Sequence, residues 1–444
     1  MSAMNETIYA LASGAGRAGI AVWRLSGPGS ADALRALSGR DLPPPRRAVR
    51  AVLTSDDGDP IDDGLALWFP APASFTGEDV VELHLHGGRA VAQALGQALG
   101  GLGLRPAEPG EFSRRAFANG KIDLTHAEAI ADLVAAETAA QRRQALRQMD
   151  GALAVLIEDW RRRLVSILAR LEAAIDFAEE DLPPSLIELT RTEAAALAAD
   201  LATHLADHRR GEILRDGLHI TLLGAPNAGK SSLLNRLAGR EAAIVSAEAG
   251  TTRDVIEVHL DLGGWPAILA DTAGLREAEG QIEAEGVRRA LARAGAADLK
   301  LAVFDAALVP VLDDSTREVI DDSTLVVLNK RDLAHVPLPA TVAGRPAIAV
   351  SAKTGDGLDQ LVGWIEGEVQ QHFAVGPAPV LTRARHRAAA EAAFVALSGF
   401  DPSVDLGLAA ESLRAAATAL GRITGRVETD EVLGAIFAEF CIGK

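Results

Sequence analysis

The residues best suited to chemistry lie in the middle of the chain. Gly224-x-x-x-x-Gly229-Lys230-Ser231 follows the apolar run His219–Leu223 and precedes a helical pattern. A strand, a glycine-rich turn and a helix in that order can wrap main-chain N–H groups around a di- or triphosphate. Lys230 adds a point charge for the β- and γ-phosphates, and Ser231 offers a hydroxyl to Mg²⁺. Standing alone, such a match also fits an ordinary strand–turn–helix.

Further signals follow in order. Asp271-Thr272-Ala273-Gly274 comes after an apolar strand, where the aspartate can hold Mg²⁺ through water and the glycine can give an N–H to the γ-phosphate. Asn329-Lys330-Arg331-Asp332 follows Thr324–Leu328. Asp332 can accept two hydrogen bonds from N1–H and the exocyclic amine of guanine, a donor pair that adenine lacks. Ser351-Ala352-Lys353 closes the base pocket after the last strand. Between loop and aspartate lies Gly250-Thr251-Thr252-Arg253-Asp254, from which Thr252 can reach Mg²⁺ when triphosphate is bound. Each tetrapeptide is a weak signal, but in this order they define a guanine-nucleotide-binding domain with GTPase chemistry.

Two departures bear on mechanism. Ras-type GTPases place a glutamine after the corresponding glycine to orient the attacking water; here that position is Leu275, which has no hydrogen-bonding group. Glu277, Glu279, Glu283 and Glu285 are the acidic candidates downstream. No arginine is placed as an in-cis finger either. Asn227 brings a neutral carbonyl oxygen near the phosphates, where with loop carbonyls and Thr251 it can coordinate a monovalent cation. It can equally be a turn residue that tolerates the loop geometry.

The elements that position these residues change character along the chain. Residues 4–120 read as an α+β unit with strands at Thr7–Ala12, Gly19–Leu25, Asp63–Phe69 and Val80–His86 and a helix at Ala90–Leu102. From Leu124 the apolar period is helical: Ala127, Ile130, Ala131, Val134, then Leu153, Leu156, Ile157, Trp160, Leu164, Ile167, Leu168, Leu171 and Ile175. A third helix is expected over about Ile187–Arg215. Strands are then expected at 219–223, 256–262, 266–270, 299–304, 324–328 and 346–350, a doubly wound α/β domain. After Gly376-Pro377-Ala378-Pro379 the pattern is helical to Lys444, so one helical domain is split by an inserted one. The arginine pairs Arg142-Arg143 and Arg209-Arg210 and the triplet Arg161–Arg163 read first as solvated helix faces, with contact to RNA phosphates as the alternative.

A formal net charge of −17 argues against a general nucleic-acid coating protein but leaves room for a local basic patch. One cysteine, Cys441, excludes an intrachain disulfide framework and suits a reducing compartment. No run of about 18 apolar residues and no signal-peptide pattern is present, so a cytoplasmic protein without a membrane span is expected. No metal-ligand Cys/His spacing is visible, and His84 and His86 read as structural.

The chain resembles the MnmE (TrmE) family of tRNA modification GTPases along essentially its whole length. The motifs that carry the resemblance are Ser74-Phe75-Thr76-Gly77-Glu78-Asp79-Val80-Val81-Glu82-Leu83, His86-Gly87-Gly88, Arg105-Pro106-Ala107-Glu108-Pro109-Gly110-Glu111-Phe112-Ser113, Ala116–Leu124, Ala127-Glu128-Ala129 and the terminal Phe440-Cys441-Ile442-Gly443-Lys444. The resemblance implies an N-terminal folate-binding and dimerisation domain at 1–120, a helical domain at 121–214 and 373–444, and a G domain inserted at 215–372. It implies a homodimer that works with MnmG, a flavin-dependent partner, to add an aminomethyl-type (carboxymethylaminomethyl) group to carbon 5 of the wobble uridine of certain tRNAs. The flavin belongs to the partner, the one-carbon unit to a tetrahydrofolate, and 5-formyltetrahydrofolate binds the N-terminal domain. GTP hydrolysis is expected to be stimulated by potassium and by G-domain dimerisation.

Residue by residue, the resemblance implies potassium ligands at Asn227, Ser246, Glu248 and Thr251, the two middle ones through main-chain carbonyls. Ser231 and Thr252 match the magnesium ligands, and Glu283 the glutamate that orients the attacking water; Lys230 completes the catalytic pair. The GTP contacts comprise Asn227, Ala228, Gly229, Lys230, Ser231, Ser232, Ser246, Ala247, Glu248, Ala249, Gly250, Thr251, Thr252, Asp271, Thr272, Ala273, Gly274, Asn329, Lys330, Asp332, Ser351, Ala352 and Lys353. Arg24, Glu82, Lys121 and Lys444 match the folate positions: a carboxylate suits the pterin's amine edge and cations suit its glutamate tail. Cys441 reads as a small residue lining that pocket, with a thiol carrying a one-carbon intermediate as the sharper alternative. A GTP-gated ribosome-assembly factor is a competing reading, but no GXXG-type RNA clamp stands out. A folate enzyme with a merely regulatory GTPase domain is another; it predicts that tRNA modification survives Glu283→Ala.

Overall fold

Val81, Leu83 and Leu85 alternate with Glu82, His84 and His86, and that period of two makes a strand with one buried face. The computed structural model describes residues 6–176, 185–207, 209–239, 243–244, 257–271, 297–373, 380–427, 430–438 and 440–443. Two compact units emerge, one of residues 1–131, 148–168 and 414–444, the other of 132–147 and 169–413.

The first unit holds a six-stranded sheet built from β1 (Ile8–Leu11), β2 (Ala18–Ser26), β3 (Val49–Thr54), β4 (Pro60–Phe69), β5 (Val80–Gly87) and β6 (Arg105–Pro106), in the order β3-β4-β5-β2-β1-β6. Helices α1 (Ser30–Ser38) and α2 (Arg89–Gly101) cover one face, with Leu34, Leu37, Leu95 and Leu99 packed among Leu25, Leu53 and Leu83. On the opposite face α3 (Glu111–Ala118) lays Phe112 against Ile8 and Ala10. Helix α4 (Leu124–Ala135) follows, and α14 (Asp430–Ala438) packs Phe437 with Leu124, Ala127 and Phe440. Strands β3 and β6 are not announced by the sequence. Arg50 interrupts the apolar pattern of β3, and β6 is two residues long and half proline.

Two helices follow α4: α5 (Ala139–Met149) and α6 (Ala152–Asp176). In α6 the buried positions are Leu153, Ile157, Trp160, Leu164, Ile167, Leu171 and Ala174, a seam of alternating three- and four-residue steps. Ile175, which the sequence pattern assigns to that seam, is 37% exposed, as is Val134 of α4 at 48%. In α6 the seam passes through Ala174 instead, which turns Ile175 off the buried stripe.

The helix expected over Ile187–Arg215 is in fact two, α7 (Ser185–Leu205) and α8 (Arg210–Asp216). Arg209 takes a left-handed conformation, φ +60°. The break is fixed from outside: Arg387, in α12 (Ala384–Ser398), donates to the Leu205 carbonyl at 2.9 Å, to Asp207 at 2.5 Å and to Glu212 at 2.6 Å. No helical period can encode a bracket supplied 180 residues away. Helix α12, which buries Ala390, Ala393 and Leu397, packs against α7, which buries Ala194, Leu197 and Leu201, and α13 (Leu406–Thr424) follows.

The rest of the second unit is an eight-stranded sheet in the order β13-β14-β12-β11-β7-β10-β9-β8. Its strands are β7 (Leu218–Leu223), β8 (Ala243–Ile244), β9 (Glu257–Leu262), β10 (Trp265–Asp271), β11 (Leu299–Asp305), β12 (Thr324–Asn329), β13 (Thr341–Val342) and β14 (Arg345–Ala349). The six strands expected in this domain each fall within one residue of an observed one, while the two-residue β8 and β13 are not announced by the sequence. β10, β7, β11, β12 and β14 are parallel, so their carboxyl ends share one edge. Helices α9 (Lys230–Ala238), α10 (Asp314–Glu318) and α11 (Leu358–Phe373) complete it; Leu233, Leu237, Leu361 and Ile365 join the buried core. Among the described residues no helix is long and apolar enough to cross a membrane.

Candidate functional sites

The loop Gly224–Gly229 leaves the carboxyl end of β7 and enters α9. Gly224 has φ +154°, and a Cβ there would lie 2.3 Å from the Val303 carbonyl oxygen of β11. Gly229 has φ +91°, and a Cβ there would lie 2.3 Å from Nδ2 of Asn329. Both positions therefore exclude a side chain. Asn227 also has positive φ, +66°, a region asparagine adopts more readily than most residues, and its side chain is exposed. Lys230 is buried, and its Nζ donates to the carbonyls of Gly224 at 2.8 Å and Ala225 at 3.0 Å. Ser231 and Ser232 occupy the first turn of α9, where main-chain N–H groups and the helix dipole favour an anion.

The base-side residues come from the ends of β12 and β14. Asn329 is buried; its Nδ2 donates to the Ala228 carbonyl at 3.0 Å, and its Oδ1 accepts from Ala352 N–H at 3.0 Å. One side chain thus braces the phosphate loop and the Ser351–Lys353 loop together. Ser351 Oγ donates to Asp332 at 2.6 Å, which turns the exposed Asp332 carboxylate toward that loop. Lys353 is exposed. The Lys330 stem passes the Gly229 position, and its ammonium is held by Asp305, 2.7 Å away at the end of β11. Asp305 was not singled out by the sequence motifs, although its place at the end of a parallel strand was available as a signal. Asp271 ends β10, in register with Leu222 of β7. Ser246, Ala247, Glu248, Ala249, Gly250, Thr251, Thr252, Thr272, Ala273, Gly274, Leu275 and Glu283 lie outside the described residues.

A second group of chemistry-bearing residues sits on the first unit. Arg24 of β2 and Glu82 of β5 are direct cross-strand partners; Nη2 and Nε of the arginine donate to Glu82 Oε1 at 3.0 and 3.2 Å. The guanidinium also lies over the rings of Phe75, 5.5 Å from its centroid, and Phe112, 5.8 Å away. These two aromatics belong to the sequence motifs, but their place beneath Arg24 depends on a loop and a helix meeting in space. Glu82 Oε2 is 3.7 Å from His84 Nε2. Lys121 packs its stem on Gly77 and donates to the Pro72 carbonyl at 2.9 Å. Lys444 lies outside the described residues, but Gly443 is pressed against β1, where a Cβ would meet the Leu11 oxygen at 2.3 Å. Cys441 is exposed, and its carbonyl accepts from Gly110 N–H at 3.5 Å.

Behind this group, buried Glu111 and Arg115 of α3 anchor a polar network that includes Arg105, Glu78, Thr76 and Ser26. Burial pushes the Glu111 carboxyl up, but hydrogen bonds from Arg105, the Glu108 amide and Arg115 outweigh it and hold the group down at about 2. Much of the Arg105–Ser113 motif is therefore framework for the sheet.

A parallel sheet with a glycine-rich loop, a braced asparagine and an acceptor carboxylate at its carboxyl edge defines a P-loop GTPase domain. Residues 124–441 match the family model described as MnmE helical domain, and residues 7–121 match that of GTP-binding protein TrmE N-terminus. The tRNA modification GTPase MnmE of Paramagnetospirillum magneticum is 67% identical over 441 residues, covering 99% of this chain and 100% of that protein. Its counterpart in Rhodospirillum rubrum is 56% identical over 453 residues, with 99% of each chain covered. The chain belongs to the MnmE family of tRNA modification GTPases, and it is a GTP hydrolase. Among solved structures, the G domain of the T. maritima FeoB iron transporter is 25% identical over 34% of this chain and 99% of that one; its TM-score of 0.26 is too low to bear on the fold.

Proposed function

We propose that this GTPase is activated by potassium and, with the flavin-dependent MnmG partner, installs a carboxymethylaminomethyl-type group at carbon 5 of the tRNA wobble uridine. The observation that carries the reading is the presence, in one chain, of the Lys230–Asn329–Asp332 nucleotide group and the Arg24–Glu82 pair on an N-terminal unit matching TrmE. The domain boundaries that go with it are 1–120, 121–214 with 373–444, and 215–372.

On this reading the loop N–H groups of Asn227–Ser232 hold the phosphates, and Lys230 exchanges its bonds to Gly224 and Ala225 for phosphate oxygens. Ser231 and Thr252 hold magnesium. Asn227, Ser246, Glu248 and Thr251 hold potassium, which supplies positive charge beside the phosphates where no arginine finger stands. The exposed carbonyl-bearing side chain of Asn227 at the loop tip fits that task. Asp332 accepts the guanine N–H pair, and Glu283 orients the attacking water through a second water. In the N-terminal unit, Arg24, Glu82, Lys121 and Lys444 hold a 5-formyltetrahydrofolate-type cofactor, which supplies the one-carbon unit. Glu82 fits because Arg24 occupies only Oε1, leaving Oε2 for an amine edge. A homodimer belongs to the same reading. Cytoplasmic residence completes the reading.

The deciding experiment is nucleoside mass analysis of tRNA from cells lacking this protein. Loss of the modified wobble uridine, restored by the wild-type chain but not by Glu283→Ala, is expected. Unchanged wobble uridines in those cells overturn the function. Hydrolysis measured in potassium and in sodium at equal ionic strength tests the cation; equal rates remove it.

A further inference from the structure

We propose that the exposed face of α5, carried by Arg142 and Arg143, is the surface through which this chain contacts the phosphate backbone of RNA. The proposal rests on the tRNA reading above and assigns its contact surface.

A chain with net charge −17 repels a polyanion at long range, so RNA contact requires a local cationic surface. Most arginines in the structure are already committed. Arg162 and Arg163 pair with Asp159, Arg170 with Glu193, Arg191 with Glu188, Arg209 with Glu212 and Arg387 with Asp207. Arg142 and Arg143, like Arg17, Arg40, Arg47 and Arg89, are exposed with no hydrogen-bond or ion-pair partner for the guanidinium group among the described residues, but these two stand side by side on one helix. Helix α5 reads AAQRRQALRQM and contains no acid. Its inner face, Ala140, Gln144, Ala145 and Gln148, is buried, so Arg142, Arg143 and Arg147 share the outer one.

Asp150 follows the last residue of this helix and is exposed, while the other acids beside it are occupied. Glu137 faces the His259 ring at 3.2 Å. Asp132 accepts from Arg215 at 3.0 Å and Arg383 at 2.7 Å, and Asp216 lies 3.0 Å from Arg215. Arg142, Arg143, Arg147, Arg215 and Arg383 stand against Glu137, Asp132, Asp150 and Asp216, which leaves a local cationic excess of one, with the two unpaired guanidinium groups on the outer face of α5. Planar, unpaired guanidinium groups on a rigid helix suit phosphate oxygens at little ordering cost.

The test measures binding of full-length protein to unmodified tRNA across a salt series, with GTP hydrolysis in the absence of RNA as the fold control. Arg142→Ala/Arg143→Ala is expected to weaken binding about tenfold or more near 150 mM salt. It should also flatten the slope of log K against log[salt] by about 2, one per lost phosphate contact. Arg142→Lys/Arg143→Lys should retain most of the slope, and Arg162→Ala/Arg163→Ala, which removes paired arginines, should leave it unchanged. Unaltered affinity and slope in the double alanine variant overturn the surface, as does a variant that keeps RNA binding but loses an acidic protein partner. The surface and the proposed function fail separately. Loss of wobble modification in the deletion strain with unaltered RNA affinity of the variant sinks only the surface. Helix-dependent RNA affinity with unchanged wobble uridines sinks only the function.

Discussion

The side-chain amide of Asn329 donates to the main-chain oxygen of Ala228 across 101 residues of sequence, at 3.0 Å. Because the same side chain accepts from Ala352 N–H, it is the strut between the phosphate end and the base end of the nucleotide site.

Replacing that strut by alanine leaves the Ala352 amide unpaired, a loss of about 1–3 kcal/mol. Asn329→Ala is therefore expected to weaken GDP and GTP binding by about tenfold or more, at 1.4 kcal/mol per decade. Equilibrium titration with a fluorescent guanine nucleotide checks it; unchanged affinity would show that the loops hold their positions without the strut.

Gly224→Ala should act on folding before it acts on binding. Its Cβ meets main chain, the Val303 oxygen at 2.3 Å, so β7 and β11 must separate to admit it. Backbone strain alone contributes about 1–3 kcal/mol. A lower urea midpoint for the nucleotide-free protein is the expected readout.

The N-terminal unit should lose stability in acid through Glu111. Its folded carboxyl sits at about 2, below the ordinary value of 4.5. A depressed carboxylate stabilises the fold above its unfolded value, and that contribution fades as pH falls from about 4.5 toward 2. At 1.36 kcal/mol per unit the stake is about 3 kcal/mol. Denaturation at pH 5 and pH 3 should show a smaller difference for Glu111→Gln than for wild type, with the variant already weaker at pH 5.

Glu82→Gln should weaken binding of a reduced folate while leaving RNA-free GTP hydrolysis unchanged. Arg24 retains its place over Phe75 and Phe112, so the fold survives while the carboxylate charge is lost. Calorimetric titration with 5-formyltetrahydrofolate measures this. Equal affinity in the two proteins would take Glu82 out of the site.

Legibility from sequence differed sharply between the two groups of site residues. The loop Gly224–Ser231 could be read locally, because a strand–turn–helix that cradles phosphate is made of consecutive residues. Arg24, Glu82 and Lys121 could be named only through resemblance, since they sit on separate strands and a loop. Phe75 and Phe112 were in view as motif residues, yet nothing local marks them as the apolar bed of Arg24.

The sequence by itself determined six of the eight strands of the nucleotide domain and the helix after its phosphate loop, the guanine-selective motifs and the amphipathic character of the helices before it. Those properties follow from hydrophobic period and turn chemistry, which act over a few residues. Only the tertiary structure decided that Asn329 braces two loops, that Asp305 holds Lys330, and that Arg387 splits the expected helix at Arg209. It alone separated the paired Arg162 and Arg163 of α6 from Arg142 and Arg143 of α5, whose guanidinium groups have no partner among the described residues. Each of these depends on side chains brought together across many tens of residues, and such partners are chosen by packing rather than by sequence neighbourhood.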